Sequence, residues 1–207
     1  MIGGMETPEQ NRKLEEAYLR VFNAGTVALY WRDLEPQPGK LRFTSDSPRI
    51  RRRPPVDDVV AFGKQHGLNL NGHPLVWDFA KWFVPEWLDD AACQDPANWE
   101  RRIARIAERY GHAIPRWDVL NESLATAWRK TGNRSMPPAY ERMAFALARK
   151  YLPETAHLMI NETTGAAWGV DLRKYHQLTR RLIDDGARIN GVGMQFHMFA
   201  DADMLKV

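Results

Sequence analysis

The sequence has little that would tie it to a disulfide framework or to a membrane. Its 207 residues contain one cysteine, Cys93, so no disulfide can form within the chain. No apolar run approaches the ~18 residues that a membrane span needs, and we expect no membrane partner. The opening residues Met1-Ile2-Gly3-Gly4 are not the start of a secretory signal, so any such signal is expected to lie outside this chain.

Charge of one sign is also scarce. The formal net charge is only +3, and the basic residues do not form one cluster large enough to indicate nucleic-acid binding. The arginine run that ends at Arg53 is followed directly by two prolines, which is typical of a loop. We interpret a second group as the solvated face of a helix: Arg101, Arg102, Arg105 and Arg109. We therefore expect a globular protein without a nucleic-acid partner.

What the chain does contain is an alternation of helical and strand patterns. Helices are predicted to begin near Thr7, Val56, Asp95, Pro137 and Asp171, each on a capping residue, a proline or an apolar periodic run. Strands are predicted over residues 22–31, 68–76, 116–121, 157–162 and 189–198. Five helix-then-strand units predict an α/β fold with a parallel sheet, in a single domain over residues 1–207.

A doubly wound sheet and an eight-fold barrel both satisfy this alternation. No glycine-rich phosphate loop follows the first strand, which disfavours a nucleotide-binding sheet. Polar side chains instead collect at the predicted strand ends: His73, Asn121, Glu122, Asn161, Glu162, Gln195 and His197. Because chemistry in a TIM (β/α)8 barrel gathers at the carboxyl ends of several strands, the pattern favours an incomplete barrel.

The central strand, Trp117 to Leu120, ends on the pair Asn121-Glu122. A carboxylate and an amide are costly at the end of a buried strand unless they meet a ligand or each other, which indicates a site. A pair that caps the following helix explains the same residues equally well. The pair alone leaves both interpretations open.

Four segments in order carry a family resemblance: EPQPG at 35–39, GHPLVW at 72–77, WDVLNE at 117–122 and GVGMQFH at 191–197. They resemble the signatures of the family 10 glycoside hydrolases, the endo-1,4-β-xylanase family, over roughly residues 20–200. The resemblance implies a (β/α)8 barrel, of which this chain supplies about strands two to six, and a retaining mechanism of xylan degradation. It also implies a polysaccharide substrate, no cofactor or metal, and a secreted or periplasmic protein.

The resemblance implies a role for each candidate residue. Glu122 would be the general acid/base and Asn121 would bind the sugar 2-hydroxyl. His73 and Trp77 would bind the sugar on the non-reducing side of the cut, and Gln195 and His197 would hold the carboxylates in position. Trp82, Phe83 and Trp87 are expected to line the cleft beside Trp77. The nucleophilic glutamate belongs to strand seven, which is expected beyond Val207, so the isolated 207 residues are expected to be inactive.

Several positions depart from the family pattern. Members commonly carry Glu-Asn-x-Met-Lys-Trp after the second strand, whereas this chain has Thr26, Val27 and Tyr30 at the three sugar-binding positions. Tyr30 would then stack on the sugar rather than bond to it. Asp78 replaces a common histidine, and Glu162, where aspartate is frequent, is expected to play a structural part. These losses support an alternative function, a non-catalytic carbohydrate-binding barrel derived from the same family.

Overall fold

A computed structural model describes residues 7–50, 52–127, 133–164 and 170–196. At its centre, five parallel strands each pair with the next strand along the chain. The strands are β1 (Ala24–Ala28), β2 (Asn69–His73), β3 (Arg116–Asn121), β4 (His157–Thr164) and β5 (Gly191–Phe196). A doubly wound sheet reverses its strand order at a switch point, whereas a (β/α)8 barrel keeps the order of the sequence. The observed order confirms the incomplete barrel.

Helices connect the strands. They are α1 (Pro8–Leu19), α2 (Trp31–Leu34), α3 (Val56–Gln65), α4 (Asp90–Gln94), α5 (Pro96–Tyr110), α6 (Tyr140–Tyr151) and α7 (Leu172–Asp184). Side-chain caps fix several of their starts, because Thr7, Asp95 and Asp171 each accept a hydrogen bond from a first-turn backbone N–H. In the described part of the chain, no helix combines the length and apolar character needed to cross a bilayer.

The core lies between the sheet and its helices. Trp99, Ile103 and Ile106, which recur at helical spacing on α5, are buried. On β3, Trp117 is fully buried and its indole N–H donates to the Ile114 carbonyl at 2.8 Å. A Cβ on Gly72 would lie 2.5 Å from the Trp117 ring. Glycine at this position therefore lets β2 pass over the ring and carry His73 to the end of the strand.

Several predicted boundaries differ from the structure, and two of them have a visible cause. The strand predicted over residues 22–31 ends at Ala28, and Trp31 begins α2 instead. The Trp31 indole N–H donates to the Glu35 carboxylate at 2.7 Å, which stabilises a helical turn where propensity alone favours a strand. The prolines at 137 and 138 precede α6 rather than open it, since Ala139, with a φ of 53°, separates them from Tyr140.

The interpretation of the arginines of α5 is wrong for one of the four. Arg101, Arg105 and Arg109 are exposed, but Arg102 is only 4% exposed. Its position explains the difference, because residue 102 follows Trp99 by three residues and precedes Ile106 by four, which places it on the buried face of the helix.

Candidate active site

The carboxyl ends of the strands surround an open cleft of about 460 Å³. It is lined by Thr26, Tyr30, His73, Trp77, Asp118, Glu122, Asn161 and Gln195. Five of the seven predicted site residues are therefore brought together: Tyr30, His73, Trp77, Glu122 and Gln195. Asn121 is buried beside Glu122, and His197 lies outside the described residues.

Glu122 follows β3 directly and has a φ of 53°, the left-handed region that a glutamate seldom adopts. Its backbone N–H donates to the Asn161 carbonyl of β4 at 2.9 Å, and its carbonyl accepts from Ala125 at 3.2 Å. Such a conformation costs about 1–3 kcal/mol and persists only where surrounding contacts enforce it. The strain coincides with the residue that the sequence singled out as the acid.

The amide of Asn121 is fixed by two other amides. Its Oδ1 accepts from Asn161 Nδ2 at 2.8 Å and from Gln195 Nε2 at 3.0 Å. These two bonds define which end of the Asn121 amide is oxygen. Its Nδ2 is buried and has no hydrogen-bond partner among the described residues. A buried donor without a partner is costly, so a bound group that accepts this bond would recover the loss.

His73 is oriented from below by a carboxylate. Its Nδ1 lies 2.7 Å from Asp118 Oδ2, which also accepts from Asn71 Nδ2 at 2.9 Å. Because a carboxylate only accepts, Nδ1 carries the proton, and in the neutral ring Nε2 is left as an acceptor. His73 therefore offers an acceptor to a sugar hydroxyl in the cleft.

The wall opposite Glu122 is aromatic. The Tyr30 and Trp77 ring centroids are 5.9 Å apart, and those of Tyr30 and His73 are 6.0 Å apart. Burial raises the pKa of Tyr30, as do the nearby Glu122 and Asp33 carboxylates, although the Arg53 guanidinium opposes them. Tyr30 is thus a neutral phenol at physiological pH. The Trp77 Nε1 is a second buried donor with no partner in the described part of the chain.

The aromatic segment after Trp77 does not line this cleft. Phe83 is fully buried and packs below the rings of Tyr30 and Trp77. Trp87 donates its indole N–H to the Glu35 carbonyl at 2.8 Å, and Trp82 is 53% exposed. The expectation that Trp82, Phe83 and Trp87 line the cleft is therefore wrong, since none of them is among its lining residues.

Continued pairing beyond β2 places Trp77 near Asn121 and Glu122. The Val76 N–H donates to the Val119 carbonyl, and the Asn121 N–H donates to the Val76 carbonyl, both at 3.0 Å. The segment after His73 therefore follows β3 to its end, which holds Trp77 beside the strand end that carries the acid.

Glu162 is buried at the end of β4, with 1% of its surface exposed. Its Oε2 accepts from the Leu124 N–H at 2.9 Å and its Oε1 from the Thr163 N–H at 3.0 Å. Burial raises its pKa to about 7, with a contribution from the charge on Glu122, against the two backbone donors. Its bonds join β4 to the turn that follows Glu122, in keeping with the structural part expected of it.

Stability should consequently depend on the protonation of Glu162. Because its pKa is higher in the folded protein, its contribution is fully present below about pH 4.5 and is lost as the pH rises to about 7. The loss amounts to about 3 kcal/mol. Glu162→Gln, which stays neutral, should lack this part of the pH dependence. The free energies of unfolding of the native protein and the variant, measured across this pH range, would check the prediction. A difference between the two proteins that does not change with pH would contradict it.

Comparison with known proteins identifies the architecture. The family model described as glycosyl hydrolase family 10 matches residues 7–206. The chain belongs to glycosyl hydrolase family 10. Endo-1,4-beta-xylanase A of Cellvibrio japonicus is 28% identical over 159 residues, which cover 70% of this chain and 26% of the relative. Endo-1,4-beta-xylanase A of Halalkalibacterium halodurans is 31% identical over 170 residues, which cover 69% and 40% respectively. The chain thus spans less than half the length of these two curated relatives.

Solved structures of family 10 agree on the fold. Xylanase B from Clostridium stercorarium F9 superposes with a TM-score of 0.72 at 21% identity, covering 92% of this chain and 60% of that chain. A thermostable mutant of a xylanase from Cellvibrio japonicus gives 0.71 at 23% identity, covering 98% and 60%. These likenesses confirm the (β/α)8 fold of the family, and the family match confirms the resemblance found in the four sequence motifs.

The sequence analysis assigned no binding or catalytic role to three lining residues, Asn161, Asp118 and Thr26. Asn161 donates to Asn121 and Asp118 orients His73. A signal for the first was present, because Asn161-Glu162 repeats the Asn121-Glu122 pair at the end of the next strand. Asp118 lies within β3 rather than at its end, so a search confined to strand ends could not find it.

Proposed function

We propose that the protein is a retaining glycoside hydrolase that cleaves β-1,4-linked xylan or a related plant polysaccharide. Glu122 is the general acid/base in this proposal. The observation that carries it is that Glu122 lines an open cleft on a strained backbone. Two buried donors, Nδ2 of the adjacent Asn121 and Nε1 of Trp77, have no partner among the described residues. Family membership and xylanase relatives support the reaction class.

In the first step, protonated Glu122 gives its proton to the glycosidic oxygen while a second carboxylate attacks the anomeric carbon and the sugar leaving group departs. In the second step, ionised Glu122 takes a proton from water, whose oxygen displaces the carboxylate. Both displacements invert, so the product keeps the β configuration. Glu122 thus ends the cycle protonated, as it began.

The second carboxylate must lie about 5–5.5 Å from the first. Asp118 lines the cleft and Glu162 interacts electrostatically with Glu122. However, Asp118 is bonded to His73 and Asn71, and Glu162 is bonded to two backbone N–H groups. Each therefore has a positioning task. We infer that the nucleophile is a glutamate on a further strand, outside these 207 residues.

Substrate would bind across the ends of β1 to β5. Asn121 Nδ2 would donate to the 2-hydroxyl of the sugar at the cut, and the Trp77 ring and His73 Nε2 would contact the sugar on its non-reducing side. A related xylanase from Thermotoga petrophila was solved in complex with xylobiose, which supports a substrate of this class. A polymeric substrate also favours a protein that is secreted or periplasmic.

The end of β1 favours a second candidate, a carbohydrate-binding barrel without catalysis. Thr26, Val27 and Tyr30 stand where the family commonly has three polar groups, and Val27 is fully buried. The deciding experiment incubates the protein, at its full natural length, with xylan and follows new reducing ends and their anomeric configuration by NMR. Release of β-anomers supports the hydrolase. Binding without release supports the second candidate.

Replacing Trp77 with alanine should weaken binding of xylohexaose about tenfold or more, because a sugar face loses its aromatic platform. Isothermal titration would measure the dissociation constant. Trp77→Phe, which keeps a ring but lacks the Nε1 donor, should give a smaller loss. Trp82→Ala on the same segment is the matched control and should bind as the native protein does. Equal affinities for Trp77→Ala and the control would remove Trp77 from the site.

A further inference from the structure

Arg102 of α5 is a buried charge that the proposed chemistry does not use. Its guanidinium donates to three backbone carbonyls: Nε to Leu75 at 3.3 Å, and Nη2 to Leu29 and to Pro74, the latter at 3.4 Å. Burial lowers the pKa of Arg102 to about 9, so the side chain remains protonated at neutral pH. A buried charge is tolerated only where partners offset its desolvation.

Aromatic rings and one carboxylate complete its surroundings. The guanidinium carbon lies 5.1 Å from the Trp31 ring centroid and 4.9 Å from that of Phe83. The Glu35 carboxylate, itself buried, favours the protonated form of Arg102 and accepts from the Trp31 indole. The three carbonyls satisfy Nε and Nη2, whereas Nη1 is buried and has no partner among the described residues. A lysine could not reproduce this planar fork of donors.

The three carbonyls come from the two segments that carry the aromatic wall of the cleft. Leu29 directly precedes Tyr30, while Pro74 and Leu75 lie between His73 and Trp77. The strand pairing between β1 and β2 ends at Ala28 and His73, with one further backbone bond from Leu29 N to the His73 carbonyl at 2.7 Å. Beyond that bond, Arg102 joins the two segments.

We propose that Arg102 is a positioning residue that sets the separation of Tyr30 from His73 and Trp77, and thereby the width of the cleft on the non-reducing side. Phe83 transmits the same constraint, since it contacts Arg102 on one side and the rings of Tyr30 and Trp77 on the other. The kinetic consequence rests on the proposed hydrolase function, but the positional claim does not.

The test uses the protein at its full natural length with Arg102→Met, Arg102→Lys and, as matched control, Arg105→Met on the exposed face of the same helix. Nitrophenyl and dinitrophenyl β-xylobiosides are the substrates. Arg102→Met should raise KM about ten- to a hundredfold, because displaced aromatic groups lose contacts that bind the sugar equally in the ground state and the transition state. The KM of Arg102→Lys should lie between those of Arg102→Met and the native protein. The KM of the control should equal that of the native protein. The ratio of the two substrates' kcat values should not change, since Arg102 does not contact Glu122.

A merely structural role predicts a different result. Partial unfolding would lower the apparent kcat for both substrates and leave KM at its native value, and that outcome would overturn the proposal. If Arg102→Met does not fold, the same comparison of KM and kcat is made on Arg102→Lys.

Crystal structures of the Arg102 variants provide a readout independent of activity. The Tyr30 and Trp77 centroids, 5.9 Å apart here, should change their separation. Unchanged ring positions would refute the positioning role whatever the kinetics. If the native protein hydrolyses neither substrate, the proposed function fails, and the ring positions in the variants alone decide the role of Arg102.

Discussion

Replacing Glu122 with alanine should slow hydrolysis of xylan by about a hundred- to ten-thousandfold, the range that a positioned general acid contributes. The loss should be small in the first step for dinitrophenyl glycosides, because their leaving groups need little protonation. The second step still requires a base, so a covalent glycosyl intermediate should accumulate. Stopped-flow measurement of the dinitrophenolate burst, together with mass spectrometry of the intact protein, would detect it.

Azide makes this experiment decisive. It attacks the anomeric carbon without a general base and should restore turnover of the alanine variant, releasing a β-glycosyl azide. Glu108→Ala, which removes an exposed carboxylate from α5, is the control and should behave as the native protein with and without azide. Hydrolysis of xylan by Glu122→Ala at the native rate, or an α-glycosyl azide, would show that Glu122 is not the acid/base of a retaining enzyme.

The order and type of the elements could be predicted, because the helical and strand spacings of apolar residues, with a few prolines and capping residues, define them. β3 was predicted with its observed bounds, since Pro115 precedes it and Asn121-Glu122 ends its apolar run. The strand predicted over residues 68–76 is longer than β2, which spans Asn69–His73, and the strand predicted from residue 189 begins at Gly191 instead. Where pairing stops is decided by neighbouring strands, which one segment does not encode.

The burial of Arg102 could not be predicted from its residue type. Guanidinium groups are usually solvated, so the residue type led to the prediction of an exposed side chain. The position of Arg102 relative to Trp99 and Ile106 nevertheless places it on the buried face of α5. Its acceptors are 27 and 73 residues away in sequence, at Leu75 and Leu29, and no local pattern indicates that carbonyls from two loops converge on one helix position.

The free donor of Asn121 is likewise a product of tertiary structure. The sequence gives an amide at the end of β3, but the amide can present either its oxygen or its nitrogen to the cleft. Asn161 from β4 and Gln195 from β5 both donate to Oδ1, which leaves Nδ2 without a partner among the described residues. Two neighbouring strands therefore determine that the amide of Asn121 has a donor, rather than an acceptor, left for the proposed contact with a substrate.

Removing that donor should have the second large effect. Asn121→Ala is expected to lower kcat/KM for a nitrophenyl β-xylobioside about a hundred- to a thousandfold, as loss of one donor aimed at the transition state does. Hydrogen bonds to the 2-hydroxyl strengthen as the anomeric centre gains positive charge, so the effect should fall on the chemical step. Steady-state kinetics of the native protein and the variant would measure it.

The matched substrate lacks the 2-hydroxyl. On the corresponding 2-deoxy glycoside, kcat/KM of the native protein should fall close to that of Asn121→Ala on the normal substrate. The substitution should then lower kcat/KM little further, because the bond to the 2-hydroxyl is already absent. Asn121→Asp tests the polarity of the contact: it keeps an acceptor for Asn161 and Gln195 but presents an oxygen where Nδ2 was, so it should resemble the alanine variant on the normal substrate. If Asn121→Ala lowered kcat/KM equally for both substrates, Asn121 would maintain the shape of the site and would not bind the 2-hydroxyl. The proposed orientation of the sugar, with its 2-hydroxyl at Asn121 Nδ2, would then be wrong.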